Sequence, residues 1–205
     1  YYNPRRMNFG ALRVLNDDRV EAGKGFGIHP HKNMEIISIP LKGKLKHGDS
    51  NKNSRTITIG DIQTMSAGTG IYHSEMNGSD TEPVEFLQIW VMPEKLNTPP
   101  AYRDYDIRPF LRKNELALIV SPDGDAPAKM LQQTWFSIGE IEAGKKIGYH
   151  MHQSHAGVYI FVIEGEVKVD DTVLSRRDGM GVYDTHSFEL ETLKDSHILL
   201  MEVPM

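Results

Sequence analysis

Two short pairs of residues could do chemistry in this chain: His29-Pro30-His31 and His73-Ser74-Glu75. In an extended strand, side chains at i and i+2 point to the same face. Two such strands, side by side inside a barrel, would aim three imidazoles and one carboxylate at one point. Imidazole and carboxylate suit a divalent first-row cation, and four protein donors leave up to two positions of an octahedral shell open. A closed structural zinc site would fill its shell with protein groups instead. Glu35 has the same parity as His29 and His31, so an unbroken strand would turn it inward as well. It is an alternative carboxylate donor or an acceptor for a ring N–H.

The elements that must position these groups read as β-strands. Short apolar or β-branched runs lie between Gly, Asn, Asp and Pro clusters. Expected strands are Leu12–Asn16, Met34–Leu41, Lys44–His47, Arg55–Ile59, Glu85–Met92, Leu116–Val120, Gln132–Ile138, Val158–Glu164, Glu166–Val169, Ser187–Leu190 and Ile198–Val203. No long apolar stripe at helical spacing occurs, and the best helix candidate is the short segment Ile107–Asn114. Many short strands at spacings near ten residues indicate a sandwich or barrel.

The pattern breaks at Pro93–Arg103, which reads as an extended linker around Pro99-Pro100. The chain repeats itself loosely on either side. Gly23 precedes His29-x-His31 by the same spacing that separates Gly144 from His150-x-His152, and an apolar strand and a glycine turn (Gly43, Gly165) follow each pair. A repeat of roughly 120 residues means that one domain type occurs twice. The expected division is an N-terminal metal-binding domain at 1–100 and a degenerate C-terminal copy at 101–205. The second half adds His155, but it lacks a His-x-Glu pair; Asp184-x-His186 stands roughly in that place.

These residues resemble the cupin motifs. Gly23-x5-His29-x-His31-x3-Glu35 with Gly43 is similar to the first, and Gly60-Asp61-Ile62-Gln63 through Gly68-Thr69-Gly70-Ile71-Tyr72-His73 to the second. The fuller resemblance is to the pirin family of bicupins. It is carried by Gly27-Ile28-His29-Pro30-His31-Lys32-Asn33-Met34-Glu35 and by Met65-Ser66-Ala67-Gly68-Thr69-Gly70-Ile71-Tyr72-His73-Ser74-Glu75. Gly10–Asn16 and Gln88-Ile89-Trp90 extend it across the chain. The resemblance implies an all-β fold of two tandem cupin barrels (double-stranded β-helix, jelly-roll), with one metal in the first barrel and generally none in the second. The implied ligands are His29, His31, His73 and Glu75. Iron(II) is the first choice of metal, with Zn, Ni, Mn, Co or Cu as alternatives. The implied activity is that of bacterial pirin-like quercetin 2,3-dioxygenases. There Glu75 would take the proton of a flavonol 3-hydroxyl, and O2 would open the ring with loss of carbon monoxide. A second implication, drawn from animal pirins, is a metal-state-sensitive cofactor of transcription factors without turnover. A third is a cupin of isomerase or storage type. The resemblance also suggests a monomer.

Composition narrows the partners. The 205 residues carry a net charge of −5, and no run of Lys or Arg exceeds two, so no cationic face for direct nucleic-acid binding is expected. There are no cysteines, which removes disulfides, thiolate metal sites and thiol catalysis. This fits a reducing compartment, and a cytoplasmic protein is expected. The apolar runs are too short to span a bilayer. No charged-then-apolar leader is visible. The chain opens Tyr1-Tyr2-Asn3-Pro4 without Met, so further N-terminal residues are expected. Phe26, Met34 and Tyr72 are candidates for a pocket mouth, Phe86 and Trp90 for the core, and His47 and His197 for solvated or core histidines.

Overall fold

The computed structural model describes Asn3, Pro4 and Met7–Met205. Its strands are β1 (Leu12–Val20), β2 (Gly25–His31), β3 (Glu35–Lys42), β4 (Lys44–Asp49), β5 (Ser54–Thr58), β6 (Asp61–Ser66), β7 (Ile71–Asn77), β8 (Val84–Val91), β9 (Ala101–Asp106), β10 (Ala117–Ser121), β11 (Ala128–Lys129), β12 (Trp135–Ile141), β13 (Lys146–His150), β14 (Ala156–Glu164), β15 (Glu166–Val169), β16 (Thr172–Ser175), β17 (Gly179–Tyr183), β18 (Ser187–Thr192) and β19 (Ser196–Pro204). The chain is all-β, as expected, and the helix anticipated at Ile107–Asn114 shrinks to a 3-10 turn at Arg108–Phe110. Among the described residues no helix is long and apolar enough to cross a membrane, which says nothing of strands.

Two compact units form. One contains Leu12–Arg108 with Pro127–Gln132; the other contains Pro109–Ala126, Gln133–Met205 and the described residues up to Ala11. Each is a cupin-type barrel of two antiparallel sheets. In the first, the sheets run β1-β8-β3-β6-β9 and β2-β7-β4-β5. In the second, β10-β12-β19-β14-β17 faces β13-β18-β15-β16.

Period-two alternation builds the first barrel. Along β7, Ile71, His73, Glu75 and Asn77 are buried while Tyr72, Ser74 and Met76 are more exposed. The interior is layered. Val20, Leu45, Ile57, Val84 and Phe86 form an apolar floor. Ile36, Met65, Ala67 and Ile71 form a second apolar group, against which Met34, Trp90 and Tyr102 pack. Between them lies a polar row. Ser38 pairs with Gln88 on β8 and with Gln63 on β6, and on the other sheet His47 pairs with Glu75. Each large apolar side chain buried here contributes roughly 1.5–3 kcal/mol. Apolar layers of this kind hold the barrel together on either side of the polar row.

The second barrel is filled by Val158, Ile160, Val162, Val167, Leu190 and Leu200 among others. Strands without apolar alternation escaped the sequence reading. The end of the stretch read as a linker enters β9, whose Tyr102-Arg103-Asp104 pairs with β6 at a sheet edge. Charged residues suit an edge, where they block pairing with other chains. The glycine-rich β17 also lies at an edge.

Candidate metal centre

β2 and β7 are adjacent, with His29 opposite His73 and His31 opposite Ile71. The register shifts between Phe26 and His29, so a bulge ends just before the first histidine and re-aims it. β2 is an edge strand, where Pro30 can stand without an N–H to donate. Gly25 permits the close approach of the two strands: an added Cβ there would overlap the Glu75 carbonyl oxygen and the Met76 Cα.

The three rings converge. Centroids lie 4.4 Å apart for His29 and His73, 4.8 Å for His31 and His73, and 4.9 Å for His29 and His31. One nitrogen from each ring falls within 4.8 Å of the others. His29 Nδ1 lies 2.8 Å from the Gly27 carbonyl oxygen, which assigns the proton to Nδ1 and leaves Nε2 with a free lone pair. His31 Nε2 and both nitrogens of His73 are buried without a hydrogen-bond partner. Buried polar atoms normally have partners, so an orphaned nitrogen on each of two converging rings asks for an explanation. A cation supplies one. Burial, followed by the neighbouring imidazoles, pushes His31 down to about 4 and His73 down to about 3. Both rings are thus neutral at ordinary pH, the form in which an imidazole can bind a cation. His73 is fully buried while His29 is partly exposed, so the cluster opens on the His29 side.

Glu75 shares the buried face of β7 with His73 but stands outside this close group. Its carboxylate is engaged across the barrel. Ser38 Oγ donates to Oε1 at 3.1 Å and Gln88 Nε2 donates to Oε2. Trp90 Nε1 in turn donates to Gln88 Oε1 at 3.1 Å, and its ring meets His31 edge-on at 4.8 Å. Burial pushes the Glu75 carboxyl up, and the Gln88 and Ser38 donors partly offset this. Glu35 is also buried but turns elsewhere: it accepts the Leu131 N–H at 3.2 Å and a bond from Ser66. It neither joins the cluster nor supports a ring N–H there.

His47, read from the sequence as a solvated or core histidine, is in the core, and its place beside the cluster was not foreseen. Its ring is buried, 5.4 Å from that of His73, and stacks on Tyr102 at 4.2 Å. Nε2 lies 3.1 Å from Asp49 Oδ2, and Gln63 Nε2 lies 3.3 Å from Nδ1. Tyr102 donates to the other end of the Gln63 amide at 3.3 Å. Burial lowers the His47 pKa despite Asp49, so the ring is neutral, donating from Nε2 and accepting at Nδ1. Burial raises the Asp49 carboxyl, but Asn53 and His47 outweigh it and leave the group below the usual carboxylate range. With both nitrogens committed, His47 is a fixed wall beside His73. Its shared parity with buried Leu45 on β4 was the available signal. For Gln88 the signal was an amide standing between Phe86 and Trp90 on one strand face.

Phe26 and Tyr72 are exposed, whereas Met34 packs into the core. Tyr72, Ile28, Asp49, Ser50 and His73 help line a groove of about 490 Å³. In the second unit His150, His155, Asp184 and His186 are exposed. His152 Nδ1 lies 2.8 Å from Glu202, a fully buried carboxylate that also accepts from Tyr149 Oη at 2.8 Å. Trp135 stacks on the His152 ring at 4.9 Å.

Comparison with known proteins places this geometry. Residues 1–91 match the family model described as Pirin, and residues 118–203 that of the Quercetinase C-terminal cupin domain. The Escherichia coli K12 protein named quercetin 2,3-dioxygenase is 38% identical over 209 residues, covering 100% of this chain and 87% of its own length. The chain belongs to the pirin family. A pirin-like protein of Caulobacter vibrioides is 34% identical over 213 residues, covering 98% of this chain and 87% of its own. The bacterial pirin YhhW of E. coli, solved in complex with nickel(II), superposes with a TM-score of 0.92 at 36% identity, covering 100% of this chain and 87% of that one.

Proposed function

We propose that this pirin is a metal-dependent dioxygenase that opens the heterocyclic ring of quercetin-like flavonols with O2. The observation that carries the reading is the convergence of His29, His31 and His73, with unpartnered ring nitrogens, on a point open toward solvent at His29. These residues fit a single divalent cation, with iron(II) as first choice and nickel, zinc, manganese, cobalt or copper as alternatives. Glu75, seated beside the cluster, would complete the donor set by shifting toward the rings. The relative named quercetin 2,3-dioxygenase supports the substrate class, and the nickel complex of YhhW supports a divalent metal.

The cation would supply Lewis acidity and a template for substrate and O2. The rest falls to the chain. His29 keeps its lone pair on Nε2 because Gly27 holds the other proton. The stacked, doubly bonded His47 fixes the position of His73. Glu75 is the general base for the flavonol 3-hydroxyl, and Ser38 and Gln88 hold it in a single orientation. A monomer in the cytoplasm is the setting we propose.

Oxygen uptake on adding quercetin to metal-loaded protein tests this. The expected result is consumption of O2 with release of carbon monoxide, abolished by chelation. No uptake with any of these metals would exclude flavonol oxygenation.

A further inference from the structure

We infer that Ser38, Gln88 and Trp90 form a second seat for the Glu75 carboxylate, one that holds it off the cation and so sets how tightly the cation is bound. This rests on reading the histidine cluster as a metal centre. The imidazoles stand on β2 and β7, but every side-chain donor to Glu75 comes from the facing sheet. Ser38 on β3 and Gln88 on β8 are register partners, and they take one carboxylate oxygen each. All three groups are buried, with Ser38 at 0%, Glu75 at 1% and Gln88 at 6% exposure.

The seat has a defined polarity. A glutamine amide can present either its oxygen or its NH2. Trp90 Nε1–H occupies the oxygen, so only the NH2 is left to face Glu75. The Trp90 ring also abuts His31, so the group that locks the amide touches the cluster itself. As seated, Glu75 lies beyond the mutual reach of the three ring nitrogens. Entry into the cation's shell would draw the carboxylate toward the rings and away from these donors. Donors that stabilise the off-metal position therefore weaken metal binding by their own strength. They also give Glu75 a satisfied place to stand when it acts on a proton, where a buried unpaired carboxylate would be costly.

The test is competition titration of Co(II) against a chromophoric chelator, with the visible Co(II) spectrum recorded. Gln88→Met keeps the shape and removes the donor. It should tighten Co(II) binding by roughly ten-fold, the scale of one charge-assisted hydrogen bond. Trp90→Phe keeps the ring on His31 but frees the amide to turn, and should tighten binding by a smaller factor. In a Glu75→Gln background, Gln88→Met should change affinity less than about two-fold, because the pair acts as one unit. If Gln88→Met does not fold, Ser38→Ala carries the same expectation. Unchanged or weaker Co(II) binding in the folded variant overturns the seat. Failure of the wild type to take up one Co(II), or undiminished uptake by His73→Ala, overturns the metal-centre reading instead.

Discussion

His73 and Glu75 share a strand face yet have opposite surroundings, and their variants should part accordingly. His73 has no hydrogen-bond partner on either ring nitrogen and turns one of them to the cluster. His73→Ala should reduce bound metal by more than the roughly ten- to hundred-fold that loss of a supporting contact costs. The circular dichroism spectrum should survive, since apolar layers and not the cation hold the barrel; elemental analysis beside a thermal melt reads both. Glu75→Gln removes a proton acceptor while leaving the rings in place, so turnover of quercetin should fall roughly 10²–10⁴-fold in an oxygen-electrode assay of metal-loaded protein. At this scale the sequence was informative about whatever follows from strand parity. Two pairs spaced i, i+2 announced themselves without any fold. Parity alone could not tell Glu35 from Glu75, because a backbone N–H and a serine hydroxyl, both invisible in a spacing rule, claim Glu35. His47 escaped for a related reason: its partners Asp49, Gln63 and Tyr102 come from three strands.

Strand spacing decides whether the pairs meet at all. β2 reaches β7 closely only because Gly25 has no side chain. Gly25→Ala should cost ~1–3 kcal/mol through overpacking and also lower metal affinity, as the strands carrying His29 and His73 separate. Urea unfolding and a metal titration of the same preparation check both effects; loss of stability with unchanged affinity would deny the strand pair its part in the site. Strands buried along nearly their whole length and rich in branched residues were legible, and β3, β8, β14 and β19 lie close to where the sequence puts them. The edge strand β9 was not: Tyr102 packs inward, but the charged residues around it answer to solvent and to β6. The expected helix failed because Pro109 sits inside a segment too short to nucleate one.

For the whole molecule, one domain type used twice has two different interiors. The first barrel interrupts its apolar core with a polar row and an imidazole cluster, whereas the second packs apolar side chains and turns its surviving His152 onto Glu202. The repeat of Gly-x5-His-x-His revealed the duplication, but not that Glu202, some fifty residues further on, would claim the second histidine. Protonation should also act through the second barrel. Burial lowers the His197 pKa beneath its ordinary 6.5. The unfolded chain then takes up that proton first, so stability falls as pH drops below about 6.5. His197→Gln should flatten the decline in urea midpoint between pH 7 and 5; an unchanged slope would assign it to other groups. The central claim is that three imidazoles gather on one cation, and X-ray absorption of the Co(II)-loaded protein tests it most directly. The account predicts one cobalt per chain with the scattering of three histidine rings in its first shell. Fewer than three rings, or a signal that persists when His29, His31 and His73 are all replaced by Ala, would contradict it.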